Sequence, residues 1–138
     1  MKTSEQINEI AAALAKAQGE IENMTADIAV NIPTKSGPKK YKYADYGQMR
    51  NAVKGPLSKN NLSYIHNVFS DADKNFWVLT RLMHSSGQWM ESEYPLFLPQ
   101  DMGYNPTQTM GGFTTYGKRY SLGMLLGLAS EEDNDAVQ

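Results

Sequence analysis

Lys118 and Arg119 are the residues whose type and spacing best suit charge chemistry, standing together inside QTMGGFTTYGKRYSLGMLLGLASEEDND, residues 108–135. On a helix of about 100° per residue, Gln108, Gly111, Gly112, Thr115, Lys118 and Arg119 gather on one side. Met110, Phe113, Gly117, Tyr120, Met124 and Leu128 fall on the other, which is expected to be core. An arginine offers a planar fork and a lysine a point charge, so the pair can hold successive phosphates, with Gln108 and Thr115 adding neutral hydrogen-bonding groups. Gly111 and Gly112 each weaken a helix by roughly 1 kcal/mol relative to alanine, but they let a phosphate chain or a second backbone come close. Adjacent cations on a helix are also common as plain solvated surface.

Other chemistry finds less support. Gly112 to Lys118 spells GxxxxGK, the start of a phosphate-binding loop, yet Arg119 stands where the Mg²⁺-binding Ser or Thr belongs, and the whole segment fits one helix. His66 and His84 have no carboxylates at metal-motif spacing and read as structural or surface groups. Glu91 and Glu93 share a strand face and could take a divalent ion, although such pairs are commonly solvated. No nucleophile, base and orienting group can be assembled. The expectation is therefore a protein that is not an enzyme and uses no cofactor or metal. A metal-dependent nuclease using Glu91, Glu93 or the acidic C-terminal end is the enzymatic alternative.

The net charge of −2 hides a partition. Residues 1–30 carry −3, residues 31–66 carry +6 and residues 67–138 carry −5. A basic centre between acidic ends can draw a polyanion in a salt-dependent way, although a lysine-rich solvated loop has the same composition. Lys39, Lys40, Lys42, Arg50 and Lys54 lie in that centre with Tyr41, Tyr43 and Tyr46 among them, and rings interleaved with cations suit single strands whose bases can stack. The chain has no Cys, which removes disulfides and thiolate sites. Without a signal pattern or an apolar run of about 20 residues, it reads as soluble and cytoplasmic.

These groups need elements to hold them. Ser4 is expected to cap a helix through Ile7, Ile10, Ala11, Leu14, Ala17, Ile21 and Met24. Asp27 to Tyr43, with Pro33, Gly37 and Pro38, reads as a loop or irregular hairpin. Asp45 caps a second helix through Met49 and Val53 towards Leu57, limited or bent by Gly55 and Pro56. Leu62 to Phe69, Phe76 to Met83 and Gln88 to Phe97 read as three strands of an antiparallel meander. The third helix starts after Pro106 and loses its pattern at Glu131, Glu132, Asp133 and Asp135. The expected fold class is α+β, with one domain over residues 1–130 and a disordered acidic end at 131–138.

One family shares this pattern. Ala17-Gln18-Gly19-Glu20, Tyr43-Ala44-Asp45-Tyr46, Gly55-Pro56-Leu57, Leu82 to Trp89 and Thr115-Tyr116-Gly117-Lys118-Arg119-Tyr120-Ser121-Leu122 stand in the order found there, followed by Leu125 to Ala129 and the acidic run. The chain thus resembles the bacteriophage Erf (essential recombination function) family of single-strand annealing proteins over most of residues 13–135. It departs at Gly117-Lys118, where many relatives carry Ala-Arg.

The resemblance implies ATP-independent binding of single-stranded DNA and annealing of complementary strands in phage or prophage recombination, in a bacterial host cytoplasm. It implies ring or helical homo-oligomers, and a fold like that of the eukaryotic ring-forming annealing proteins: N-terminal helices, a three-stranded β-meander and a long C-terminal helix. It also leaves room for a host single-strand-binding protein as a further partner. Lys118, Arg119 and Tyr120 become candidates for the DNA groove, and the lysines around Lys39 a second rim. An oligomer without DNA affinity, its glycine face packing helix on helix, is the structural alternative.

Overall fold

A computed structural model describes residues 1–22, 28–32, 35–37, 39–43, 45–96 and 106–128, with backbone alone for 28–32, 39–43 and 106–110. The elements run β1 (Lys2–Thr3), α1 (Asn8–Glu20), β2 (Ile28–Ile32), β3 (Lys39–Tyr43), α2 (Tyr46–Lys59), β4 (Leu62–Ser70), β5 (Phe76–His84), β6 (Trp89–Leu96) and α3 (Pro106–Leu126). The class is α+β, as the sequence implies. Strands β4, β5 and β6 form the expected meander, and β1 joins it through Lys2 opposite Glu91 and Thr3 opposite Met90, giving the order β1-β6-β5-β4.

Alternation along the strands separates two faces. Register places Leu62, Val78, Leu82 and Leu96 on one face, where they are buried. The helices cover this face, and Ile10 and Ala17 of α1, Met49 and Val53 of α2 and Leu122 and Leu126 of α3 share its core. Ile65, 50 % exposed, lies on the opposite face.

Two helix starts show how local chemistry can succeed or be overridden. Asp45 accepts from Gln48 N at 2.7 Å while Gln48 Oε1 accepts from Asp45 N at 2.9 Å, a reciprocal cap that the sequence spells directly. The helix then buries Met49, Val53 and Leu57 and continues past Gly55 and Pro56 to Lys59. Ser4, by contrast, caps nothing. Its hydroxyl accepts from Trp89 N at 3.0 Å beside the β1–β6 pairing, and α1 begins only at Asn8. Gln88, from the β5–β6 turn, instead accepts from the N–H groups of Glu9 and Ile10 at 2.8 and 2.9 Å. The burial pattern of α1 shifts accordingly: Ile10, Ala13 and Ala17 are buried, whereas Ile7 and Ala11 are exposed.

Of the loop or irregular hairpin expected over Asp27 to Tyr43, the described residues bear out the hairpin, paired antiparallel without a break, with Ile28 opposite Tyr43, Ala29 opposite Lys42, Asn31 opposite Lys40 and Ile32 opposite Lys39. Pro33, Pro38, Met24 and the acidic end at 131–138 lie outside the described residues.

Candidate nucleic-acid interface

Helix α3 carries the central candidates, and its packing corrects the expected division of its faces. Gly117 is buried because α3 lies directly on the sheet: a Cβ there would collide with the Leu96 side chain and meet Val78 Cγ1 at 3.0 Å. Around it Ser121, Leu122, Leu125 and Leu126 are buried. Met124, expected in the core, is 56 % exposed, and Arg119, expected at a contact surface, is only 5 % exposed. The physical reason is that the C-terminal half of α3 is enclosed by the sheet together with α1 and α2, so more than half of its circumference is interior. The other half of the expected contact face fares differently: Gly111, Gly112 and Thr115 are exposed, and a Cβ at either glycine would meet nothing within 4 Å. The Thr115 hydroxyl donates to Gly111 O at 3.1 Å. Gln108 lies in the first turns, where the backbone alone is described.

The helix also ends earlier than its acidic run suggests. Gly127, at φ +71°, turns the chain after Leu126, with Leu128 N donating to Gly123 O at 2.8 Å and Gly127 N to Met124 O at 3.2 Å.

Lys118 and Arg119 part company. Arg119 stacks over Tyr120 at 4.5 Å and Tyr116 at 5.3 Å, and Tyr120 in turn lies parallel to Tyr94 of β6, with centroids 5.6 Å apart. The positive charge of Lys118 acts instead on His66 of β4, whose pKa it helps to lower. Because β5 separates β4 from β6, the two neighbouring cations serve opposite flanks of one helix.

The Lys118 flank holds a connected polar network. His66 hydrogen-bonds through Nε2 to the Tyr46 hydroxyl at 2.8 Å and through Nδ1 to Thr80 Oγ1 at 2.7 Å. Burial first, then the positive charges of Lys118 and Arg50, lower its pKa to about 4, so the imidazole is neutral at physiological pH. Tyr64 packs edge-on against that ring at 5.4 Å and accepts from Arg50 Nε at 3.2 Å. Burial, followed by the bonded Tyr64 hydroxyl, raises the Tyr46 pKa, which keeps the phenol protonated. Arg50 thereby acquires an orientation that an exposed arginine ordinarily lacks.

On α2, Tyr46, Arg50, Lys54 and Ser58 recur every four residues, a rise of about 6 Å per step. With Ser63 and Tyr64 of β4 they wall an open cleft of about 310 Å³ floored by Leu57 and Leu62. Among the described residues Lys59 pairs with Glu20 at 3.6 Å and Arg81 with Glu91 at 2.7 Å, while Arg50, Lys54 and Lys118 have no carboxylate partner. Of the sequence candidates, then, the structure lines one cleft with Arg50 and Lys54, puts the charge of Lys118 within reach of His66 in the adjoining network, and sets Arg119 and Tyr120 on the other flank. Lys39, Lys40, Lys42 and Tyr43 lie on β3, where only the backbone is described.

The sequence reading missed Tyr64, Tyr94 and Tyr116. Tyr116 stands four residues before Tyr120, a readable spacing, but Tyr64 and Tyr94 join their clusters only through helix-on-sheet packing. The reading of His66 as structural agrees with its two hydroxyl partners.

The two rival chemistries meet specific obstacles. Glu91 is buried rather than solvated, and its Oε2 is bound by both Arg81 Nε and Nη2 at 2.7 Å, with the guanidinium 3.8 Å above Trp89. Gly112, Gly117 and Lys118 all lie inside α3, not in a loop preceding a helix. Among the described residues no helix is long and apolar enough to cross a membrane.

The model of the ERF superfamily matches residues 10–138. No curated protein and no solved structure matched the chain.

Proposed function

Because the chain belongs to the ERF superfamily, whose members serve recombination by single-strand annealing, we propose that it binds single-stranded DNA and anneals complementary strands without a nucleotide cofactor. The observation that carries this reading is an open cleft lined by Arg50, Lys54, Tyr46 and Tyr64, with the charge of Lys118 acting on the adjoining His66 and none of the three cations with a carboxylate partner among the described residues. Strand annealing needs no catalytic group. It requires phosphates to be neutralised and bases held apart from one another long enough to find partners, and cations next to aromatic rings meet both demands. The lysines of β3 supply a second rim, and Arg119 supports the Tyr116–Tyr120 surface from beneath. The protein acts as a homo-oligomer in a bacterial cytoplasm, with a host single-strand-binding protein as a further partner, and is not an enzyme.

The test is an annealing assay with labelled complementary oligonucleotides, without nucleotide, alongside a mass measurement of the assembly. Arg50→Ala, Lys54→Ala and Lys118→Ala combined should preserve folding, slow annealing, and reduce the slope of log affinity against log salt by about 2, since each phosphate contact on a single strand contributes about 0.7. An unchanged slope in the folded triple variant would remove this interface from the function.

A further inference from the structure

Resting on that reading, we propose that the cleft between α2 and β4 seats one nucleotide of the bound strand with its base out of the stack, rather than serving only as a phosphate rail. The walls differ in chemistry in the way a nucleotide does. Arg50 and Lys54 lie one helical turn apart on one side, suited to phosphate, and Nε of Arg50 is already committed to the Tyr64 hydroxyl, which leaves the terminal nitrogens of the fork for a ligand. The floor is apolar, made by the buried side chains of Leu57 and Leu62, which a phosphate rail does not need and a planar base does. Ser58 and Ser63, both exposed, place hydroxyls that can donate or accept at the mouth, so base edges can be satisfied without selecting one base. The Tyr64 ring stands in the wall, held by His66 and by Arg50, so a base meets a preorganised aromatic surface.

Size agrees with a single residue: about 310 Å³ lies at the low end of small-molecule pockets, enough for one nucleotide and not for a run of them. The cleft therefore recognises the nucleobase as an aromatic plane, whatever its sequence. A strand caught this way keeps at least one base per chain free of its neighbours, a state from which pairing with a complement can begin.

Affinity for oligo-dT is to be compared with that for an abasic strand of the same length and charge. The wild-type protein should prefer oligo-dT by at least about fivefold, the lower end for stacking of one base on an aromatic ring. Tyr64→Leu removes the ring, and Ser58→Phe places a side chain in the cleft from an exposed position. Each should abolish the preference; binding to the abasic strand should stay salt-dependent in Ser58→Phe and weaken in Tyr64→Leu, which also removes the hydroxyl that orients Arg50, with thermal unfolding reporting that the fold persists. If Tyr64→Leu fails to fold, Ser58→Phe decides. Equal wild-type affinity for both strands, or a preference that survives in the folded variants, overturns the base pocket and leaves strand binding standing. Absence of wild-type binding to either strand overturns the proposed function, and the pocket with it.

Discussion

Glycines in α3 that look alike in sequence do different work. Gly117 admits the sheet, because Leu96 and Val78 occupy the space a Cβ would need, whereas Gly112 faces open space. Gly117→Ala should therefore lower stability by about 1–3 kcal/mol through overpacking. Gly112→Ala should raise it by up to roughly 1 kcal/mol through helix propensity. Thermal unfolding of both variants checks the contrast, and a destabilised Gly112→Ala would show that the exposed glycine has a packing role. Arg119 teaches a related lesson: at 5 % exposure, beneath Tyr116 and Tyr120, it is unsuited to an alanine test of DNA contact, because its removal perturbs the aromatic cluster.

Between elements, the decisive contacts are often made by side chains far away in sequence. Gln88 in the β5–β6 turn closes the start of α1, and its Nε2 also donates to Asn8 Oδ1 at 3.0 Å. Gln88→Ala should cost about 1 kcal/mol, as loss of a helix cap does, with faster hydrogen exchange at the amides of Glu9 and Ile10. Exchange unchanged at those two amides would mean that α1 is held by its packed face alone. The Asp45–Gln48 cap is the opposite case, since both partners lie within one turn and the sequence shows them together. Helix α2 was legible for that reason, as were β4 to β6, whose alternation and polar turns are local signals. The burial of α3 was not legible: a helix enclosed on several sides hides the periodicity that marks a half-buried one.

For the whole molecule, His66 is the point where α2, β4 and β5 are bonded together through Tyr46 and Thr80. Its folded-state pKa of about 4 lies below the ordinary value of 6.5, so the fold favours the neutral ring. The stability this contributes is fully present above pH 6.5 and is lost as the pH falls towards 4, because the unfolded chain takes up the proton first. The whole shift corresponds to about 3 kcal/mol, and solvent screening of a half-buried ring reduces this, so a loss on the order of 1 kcal/mol is expected between pH 7 and pH 5. Urea unfolding at the two pH values measures it, and His66→Gln should flatten the difference. A wild-type difference retained in that variant would assign the acid sensitivity to other groups. Legible from the residues alone were the α+β class, the three helices and the β4–β6 meander, the cap of α2, and the family resemblance, all of which rest on neighbours within a few turns or on ordered motifs. Helix-on-sheet packing alone set the charge of Lys118 near His66 and Arg119 against Tyr116 and Tyr120, put Tyr64 in the cleft, and bound Glu91 to Arg81. Those outcomes depend on which strand each flank of a helix meets, and periodicity along one chain carries no record of the surface packed against it.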